Sequence, residues 1–179
     1  MTPPTAPLGT PTAPPRRPTA DDAELGAWRA FIQAHARLLR RLDEELQAAH
    51  GLSLAEYDAL LQLVITPDRR LRMSALAERV LLSRSGITRL VDRLVTDGMV
   101  ERSACPTDAR GSMAAITALG VSRLRAASRT HLDGVRRYFL DVVSADDQAV
   151  IQRSLERVSD GLSGNVPGGD GACTPPVEA

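Results

Sequence analysis

Apolar positions between residues 74 and 117 set out two short helices and a hairpin. Ser74-Ala75-Leu76-Ala77-Glu78-Arg79-Val80 predicts a short amphipathic helix. In residues 83–97, Ile87, Leu90, Val91 and Leu94 recur at i, i+3, i+4 and i+7, which places them on one helix face. Gly98 closes that helix. Residues 99–102 and 112–117 then read as two strands around 107–111, with Arg110 at the hairpin tip. Two helices, a tight turn between them and a hairpin behind make a winged helix-turn-helix, a shape that puts one helix in a DNA groove and a loop beside it.

The flanks are helical as well. From residue 21 to about residue 50, Leu25, Trp28, Phe31, Ile32, Leu38, Leu39, Leu42 and Leu46 recur mainly at three- and four-residue steps, and Gly51 ends the run. Ser53 and Glu56 have the spacing of a capping box, in which each side chain satisfies an orphan amide at a helix start. Tyr57, Leu60, Leu61 and Val64 give that helix its buried face, and Pro67 closes it. Residues 68–72 read as a loop or short strand. After the hairpin a long helix is predicted over 118–143. Ser144, Asp146 and Asp147 then open a last helix bearing Val150, Ile151, Leu155, Val158 and Leu162. The first and last helices carry more apolar surface than a small winged domain covers. This predicts that they pack together and against a second copy, with Leu25, Trp28, Ile151, Leu155 and Val158 in the dimer contact. An intramolecular bundle is the competing reading.

Composition sharpens this picture only locally. The chain of 179 residues has no net charge, and its length suits one principal core. Residues 68–125, however, hold 11 Arg against 6 Asp or Glu, a net of +5 offset by −5 elsewhere. A basic segment within acidic flanks suits a protein with one phosphate-facing side. Seven of the 12 prolines fall in residues 1–18, so 1–20 reads as a disordered arm and the Gly/Pro-rich 163–179 as a disordered tail. Cys105 and Cys173 make neither a disulfide framework nor a metal cluster. No apolar run reaches membrane-spanning length and no signal peptide is visible, so the expectation is a cytoplasmic protein with no membrane partner.

With Ile87, Leu90, Val91 and Leu94 facing the core, the opposite face of the longer helix presents Ser85, Thr88, Arg89, Asp92 and Arg93, with Ser83 and Arg84 at its entry. The N-terminal end of such a helix reads the groove, because small residues let the backbone approach and free amides take a phosphate. Arg84 and Arg89 are candidates for bidentate contact with guanine, and Ser85 and Thr88 for contacts with bases or phosphates. A solvated polar face is the bland alternative. Arg110 at the hairpin tip favours the functional one, since an arginine there can enter a narrow minor groove. Asp108 either braces that guanidinium or forms the turn.

Leu76-Ala77-Glu78-Arg79, residues 83–94 (Ser-Arg-Ser-Gly-Ile-Thr-Arg-Leu-Val-Asp-Arg-Leu), Asp97-Gly98-Met99-Val100-Glu101-Arg102, Asp108-Ala109-Arg110-Gly111 and Thr117 together resemble the MarR family of transcriptional regulators. The Asp-x-Arg wing is the most specific mark, and weaker signals extend over 21–162. The resemblance implies a mostly α fold with a small β-hairpin wing. Residues 53–117 would form the winged helix-turn-helix, and 21–50 with 118–162 a helical dimerisation region. It further implies a roughly triangular six-helix homodimer on a near-palindromic operator in double-stranded DNA. By the resemblance Arg110 would be the wing arginine and Ser83 to Arg89 the groove-reading turn. With the outer helix face and the wing as read above, the expected DNA-binding residues are Ser83, Arg84, Ser85, Thr88, Arg89, Arg93, Asp108 and Arg110. A ligand or oxidant would relieve binding, making the chain a ligand-responsive repressor.

The peroxide-sensing branch of that family carries a cysteine near the start of the first helix, which this chain lacks. A thiol switch at Cys105 competes with a small packed residue there. For a small-molecule effector, Trp28, His35, Arg37, Tyr57 and Arg123 are residues a cleft would use. Alternatively Trp28 and Tyr57 belong to the core and the arginines to solvent, and no ligand is named. No cofactor or metal is expected: His35, His50 and His131 are scattered singly, which argues against a metal-responsive sensor. A winged helix that binds protein would need neither the basic face nor the wing arginine. An enzyme is the least supported class, since no nucleophile–base pair, phosphate loop or metal motif is present.

Overall fold

The structure, a computed structural model, describes residues 24–105 and 108–163. The proposed N-terminal arm and most of the C-terminal tail, with Cys173, therefore lie outside the described residues. The chain divides into two units, Met1–His35 and Ala36–Ala179, and helix α1 (Glu24–His50) runs through both. In the first unit Trp28 and Phe31 meet at 6.3 Å between ring centroids and Phe31 and His35 at 6.0 Å. Trp28 is 59% exposed there, so the core reading fails for this residue.

The second unit holds the remaining elements. Gly51, at φ +65°, ends α1, in the left-handed conformation that glycine adopts without steric cost. Helix α2 (Leu54–Ile65) starts on the expected capping box. The Glu56 amide donates to Ser53 Oγ at 3.2 Å and the Ser53 amide to Glu56 Oε2 at 2.9 Å. Strand β1 (Arg70–Arg72) leads into α3 (Met73–Arg79). Leu82 N donates to Ala77 O at 2.9 Å, with Leu81 left-handed at φ +56°. That is a Schellman closure with leucine where glycine is usual. Helix α4 (Arg84–Thr96) follows, capped by Ser83, and Gly98 turns the chain into the hairpin at φ +70°.

The hairpin is longer than its apolar positions predicted. Strand β2 spans Val100–Cys105 and β3 Asp108–Ile116, and with β1 they form an antiparallel sheet in the order β1-β3-β2. Pairing steps from Ala104↔Ser112 to Cys105↔Asp108. Ala109, Arg110 and Gly111 are thereby left without partners on β2, in a bulge that bends the strand. The backbone of Arg110 thus belongs to a bulged strand rather than to the loop at the tip.

Helix α5 (Ala118–Val135) is capped by Thr117, whose Oγ1 takes the Gly120 amide at 3.0 Å. The single long helix expected to 143 instead ends in a π-helical turn, Arg136–Leu140, closed by Asp141 N on Arg136 O at 2.9 Å. The wider turn sets Tyr138 against the second half of α1, where its hydroxyl donates to Glu45, and Arg137 and Arg41 lie over its ring at 5.5 and 5.9 Å. Helix α6 (Ala145–Ser163) opens on Ser144 and Asp147, as the sequence predicts, with Asp147 N donating to Ser144 Oγ at 3.2 Å.

The core gathers Leu42 and Leu46 of α1, Leu60 and Leu63 of α2, Leu76 of α3, the inner face of α4, Val100 and Ala114 of the sheet, and Leu124 and Ala127 of α5. No described residue of α6 is buried, and Val150, Leu155, Val158 and Leu162 are all exposed.

Candidate nucleic-acid interface

Helix α4 divides its surface as its spacing requires. Ile87, Leu90, Val91 and Leu94 are all 3% exposed or less, which turns Ser85, Arg89, Asp92 and Arg93 outward. At its N-terminus the Ser83 hydroxyl accepts the Gly86 amide at 3.1 Å and meets Ser85 Oγ at 3.2 Å. Ser83 is thus occupied as the N-cap. Thr88 Oγ1 donates to Arg84 O at 2.8 Å, so its proton is used within the helix while its methyl and a lone pair remain for a partner. Arg84 and Arg89 differ from the other candidates. Both are exposed, and neither has a carboxylate partner among the described residues.

Further along the same helix the charged side chains are committed. Arg93 Nε donates to Glu56 Oε1 of α2 at 2.9 Å, and Arg102 of β2 reaches Asp92 Oδ1 at 2.5 Å. Burial pushes the Glu56 carboxyl up, but the Ser53 amide, the Arg93 guanidinium and the Ser53 hydroxyl outweigh it and hold its pKa below the ordinary glutamate range. Two arginines that the helix pattern did not single out, Arg72 and Arg102, line a cleft with Arg84, Ser74, Thr88 and Ser112 between α3, α4 and β3. Within that cleft Arg102 is paired with Asp92, whereas Arg84 has no carboxylate partner among the described residues. The cluster 69–72 of arginines just before α3 was the available signal for Arg72. The side chains of Cys105, Asp108 and Arg110 lie outside the described part, so only their backbone is placed.

This arrangement has solved counterparts. Sco3205, a MarR family transcriptional regulator from Streptomyces coelicolor solved in complex with DNA, is 34% identical, with a TM-score of 0.77 over 83% of this chain and 98% of that one. The chain belongs to the MarR family. The family model, described as MarR family, matches residues 50–111, from the last residue of α1 to the wing. AbsC, a MarR family transcriptional regulator also from Streptomyces coelicolor, is 29% identical, with a TM-score of 0.76 over 83% of this chain and all of that one. The HTH-type transcriptional regulator MhqR of Bacillus subtilis is 29% identical over 109 residues, 61% of this chain and 73% of that protein.

Of the effector candidates in this MarR-family chain, Tyr57 is buried, as the core reading had it, while His35, Arg37 and Arg123 are exposed. Tyr57 stacks on His131 at 4.5 Å, a partner that no spacing in the sequence reveals. Burial lowers the His131 pKa against an opposing pull from Asp58, whose own carboxyl is raised by burial against His131. His131 Nδ1 has no hydrogen-bond partner among the described residues. No group of three or more His, Cys, Asp or Glu side chains among them could hold a metal ion, and no helix among them is long and apolar enough to cross a membrane.

Proposed function

We propose that this chain is a cytoplasmic, sequence-specific DNA-binding repressor. It acts as a homodimer on a pseudo-palindromic operator, and a small-molecule effector of a class the site does not define relieves its binding. The observation that carries the reading is the N-terminal part of α4. Arg84, Ser85 and Arg89 are exposed there beside a bulged wing, and the two arginines are unpaired among the described residues. The DNA-bound relative, 34% identical, supports it. In this reading Arg84 and Arg89 contact base edges, Ser85 and Thr88 contact bases or phosphates, and Ser83 holds the helix end. Arg110 enters the minor groove beside Asp108. The open apolar positions Trp28, Leu155 and Val158, with Leu25 and Ile151, meet a second copy. Two-fold symmetry then sets two recognition helices on successive major grooves.

Selection of bound duplexes from a randomised pool by the purified protein at physiological salt tests this. An inverted repeat with half-site centres about one helical turn apart is expected. No enrichment by folded protein overturns it, and points to a winged helix that binds protein.

A further inference from the structure

Apolar packing holds α4 to the core, and because hydrophobic contact is itself non-directional, ion pairs to neighbouring elements add directional constraints on the rotation and register of the helix. Base readout needs atoms placed within a fraction of an ångström, which directional contacts supply. Among the described residues two ion pairs supply such contacts to this helix. One ties Arg93 to Glu56 of α2, and the other ties Asp92 to Arg102 of β2.

The first is built in an unusual way. Glu56 is only 7% exposed, and both of its carboxylate oxygens are in use. Oε2 takes the Ser53 amide and hydroxyl, each at 2.9 Å, which closes the cap of α2, and Oε1 takes Arg93 Nε at 2.9 Å. One buried carboxylate therefore starts α2 and grips α4, elements whose paired residues stand 37 apart in the chain. Arg93 lies nine residues beyond Arg84, about two and a half turns along the helix and on its other side. It sits on the flank of α4 that meets α2, away from the end that reads the groove. Asp92 would repel phosphate if left bare, and Arg102 neutralises it while fixing the other flank.

We propose that Glu56, acting through Arg93, is a positioning residue for DNA recognition: the pair sets the register of the recognition helix, and Arg93 is not itself a phosphate contact. This rests on the DNA-binding reading above.

The test compares wild type, Glu56→Gln, Arg93→Met and the double variant on the selected operator and on a scrambled duplex, across a salt series. Affinities are corrected for folded fraction by circular dichroism and analytical sedimentation. Glutamine keeps the capping geometry but removes the charge that Arg93 needs. Each single variant is expected to lose several-fold to about tenfold in operator affinity, with scrambled-duplex affinity and salt slope unchanged, and the double variant is expected to be no worse than the weaker single. If Arg93 instead contacts phosphate, Glu56→Gln frees it and tightens binding. Arg93→Met would then weaken both duplexes and lower the log–log salt slope by about 0.9. Either result, or an unchanged operator-to-scrambled ratio in both folded variants, overturns the proposal. Wild-type protein that does not distinguish operator from scrambled duplex overturns the DNA-binding reading itself.

Discussion

Gly120, in the first turn of α5, is the position where a single methyl group tests the packing most sharply. A Cβ built there would lie 2.2 Å from Met99 O and 2.7 Å from Ile116 Cγ1. A comfortable carbon–oxygen contact is about 3.3 Å, so helix and hairpin base would have to part by roughly 1 Å. The carbonyl in the way is not free to move. Met99 O accepts the Thr117 amide at 3.0 Å, while Thr117 Oγ1 donates to Gly98 O at 2.8 Å and caps α5 through the Gly120 amide.

Forced overpacking costs about 1–3 kcal/mol, and a disturbed threonine cap adds about 1 kcal/mol. Against these, alanine gains only about 0.5–1 kcal/mol over glycine in a helix. Gly120→Ala should therefore destabilise by about 1–3.5 kcal/mol. Gly161→Ala in α6, where nothing lies within 4 Å, should be neutral or stabilising by up to about 1 kcal/mol. Urea unfolding followed by far-ultraviolet circular dichroism, at one fixed protein concentration, gives both values. A Gly120→Ala protein as stable as wild type would refute the account of how α5 seats on the hairpin.

Four further outcomes follow from the same geometry. Leu81 is 90% exposed and held at φ +56°, so Leu81→Gly should raise stability by about 1 kcal/mol in the same urea assay by releasing left-handed strain. Arg89→Ala should flatten base preference, losing about 1–3 kcal/mol on the operator and little on scrambled DNA; equal loss on both in a titration would make Arg89 a phosphate contact. Arg110→Ala should weaken operator binding without lowering the thermal midpoint, and unchanged affinity would count against the wing. His131 is held below its usual 6.5 by burial, against Asp58, so the unfolded state binds its proton more readily. Its contribution to stability is complete above pH 6.5 and declines as pH falls toward the depressed folded value. His131→Phe should flatten the stability profile below about pH 6.5, and a profile identical to wild type would remove His131 from that role.

What the sequence made legible is what is written in short spacings. The i, i+3, i+4, i+7 stripe of Ile87, Leu90, Val91 and Leu94 names its buried face without reference to any other element, and all four are buried. The Ser53–Glu56 cap is equally local, because the chemistry needs a hydroxyl and a carboxylate three residues apart. The π-helical turn escapes this logic. One widened turn leaves the apolar repeat of the helix almost unaltered, and its visible correlate is Tyr138 reaching Glu45, a residue on another helix. The extra strand residues of the hairpin escape it too, since unpaired Ala109, Arg110 and Gly111 have the composition of a turn while their backbone runs on as strand.

Arg93 shows where a helical period stops being informative. The period puts Arg89 and Arg93 on the polar side of α4, four residues apart, and so gives both the same reading. Their difference lies in which flank faces α2, and in whether a carboxylate waits there. Glu56 supplies that carboxylate, and the cap that identifies Glu56 from sequence accounts for only one of its two oxygens. The second oxygen is what separates an arginine offered to DNA from one that holds the helix in place. A period assigns a residue to a face, but only the packed neighbour assigns it a partner.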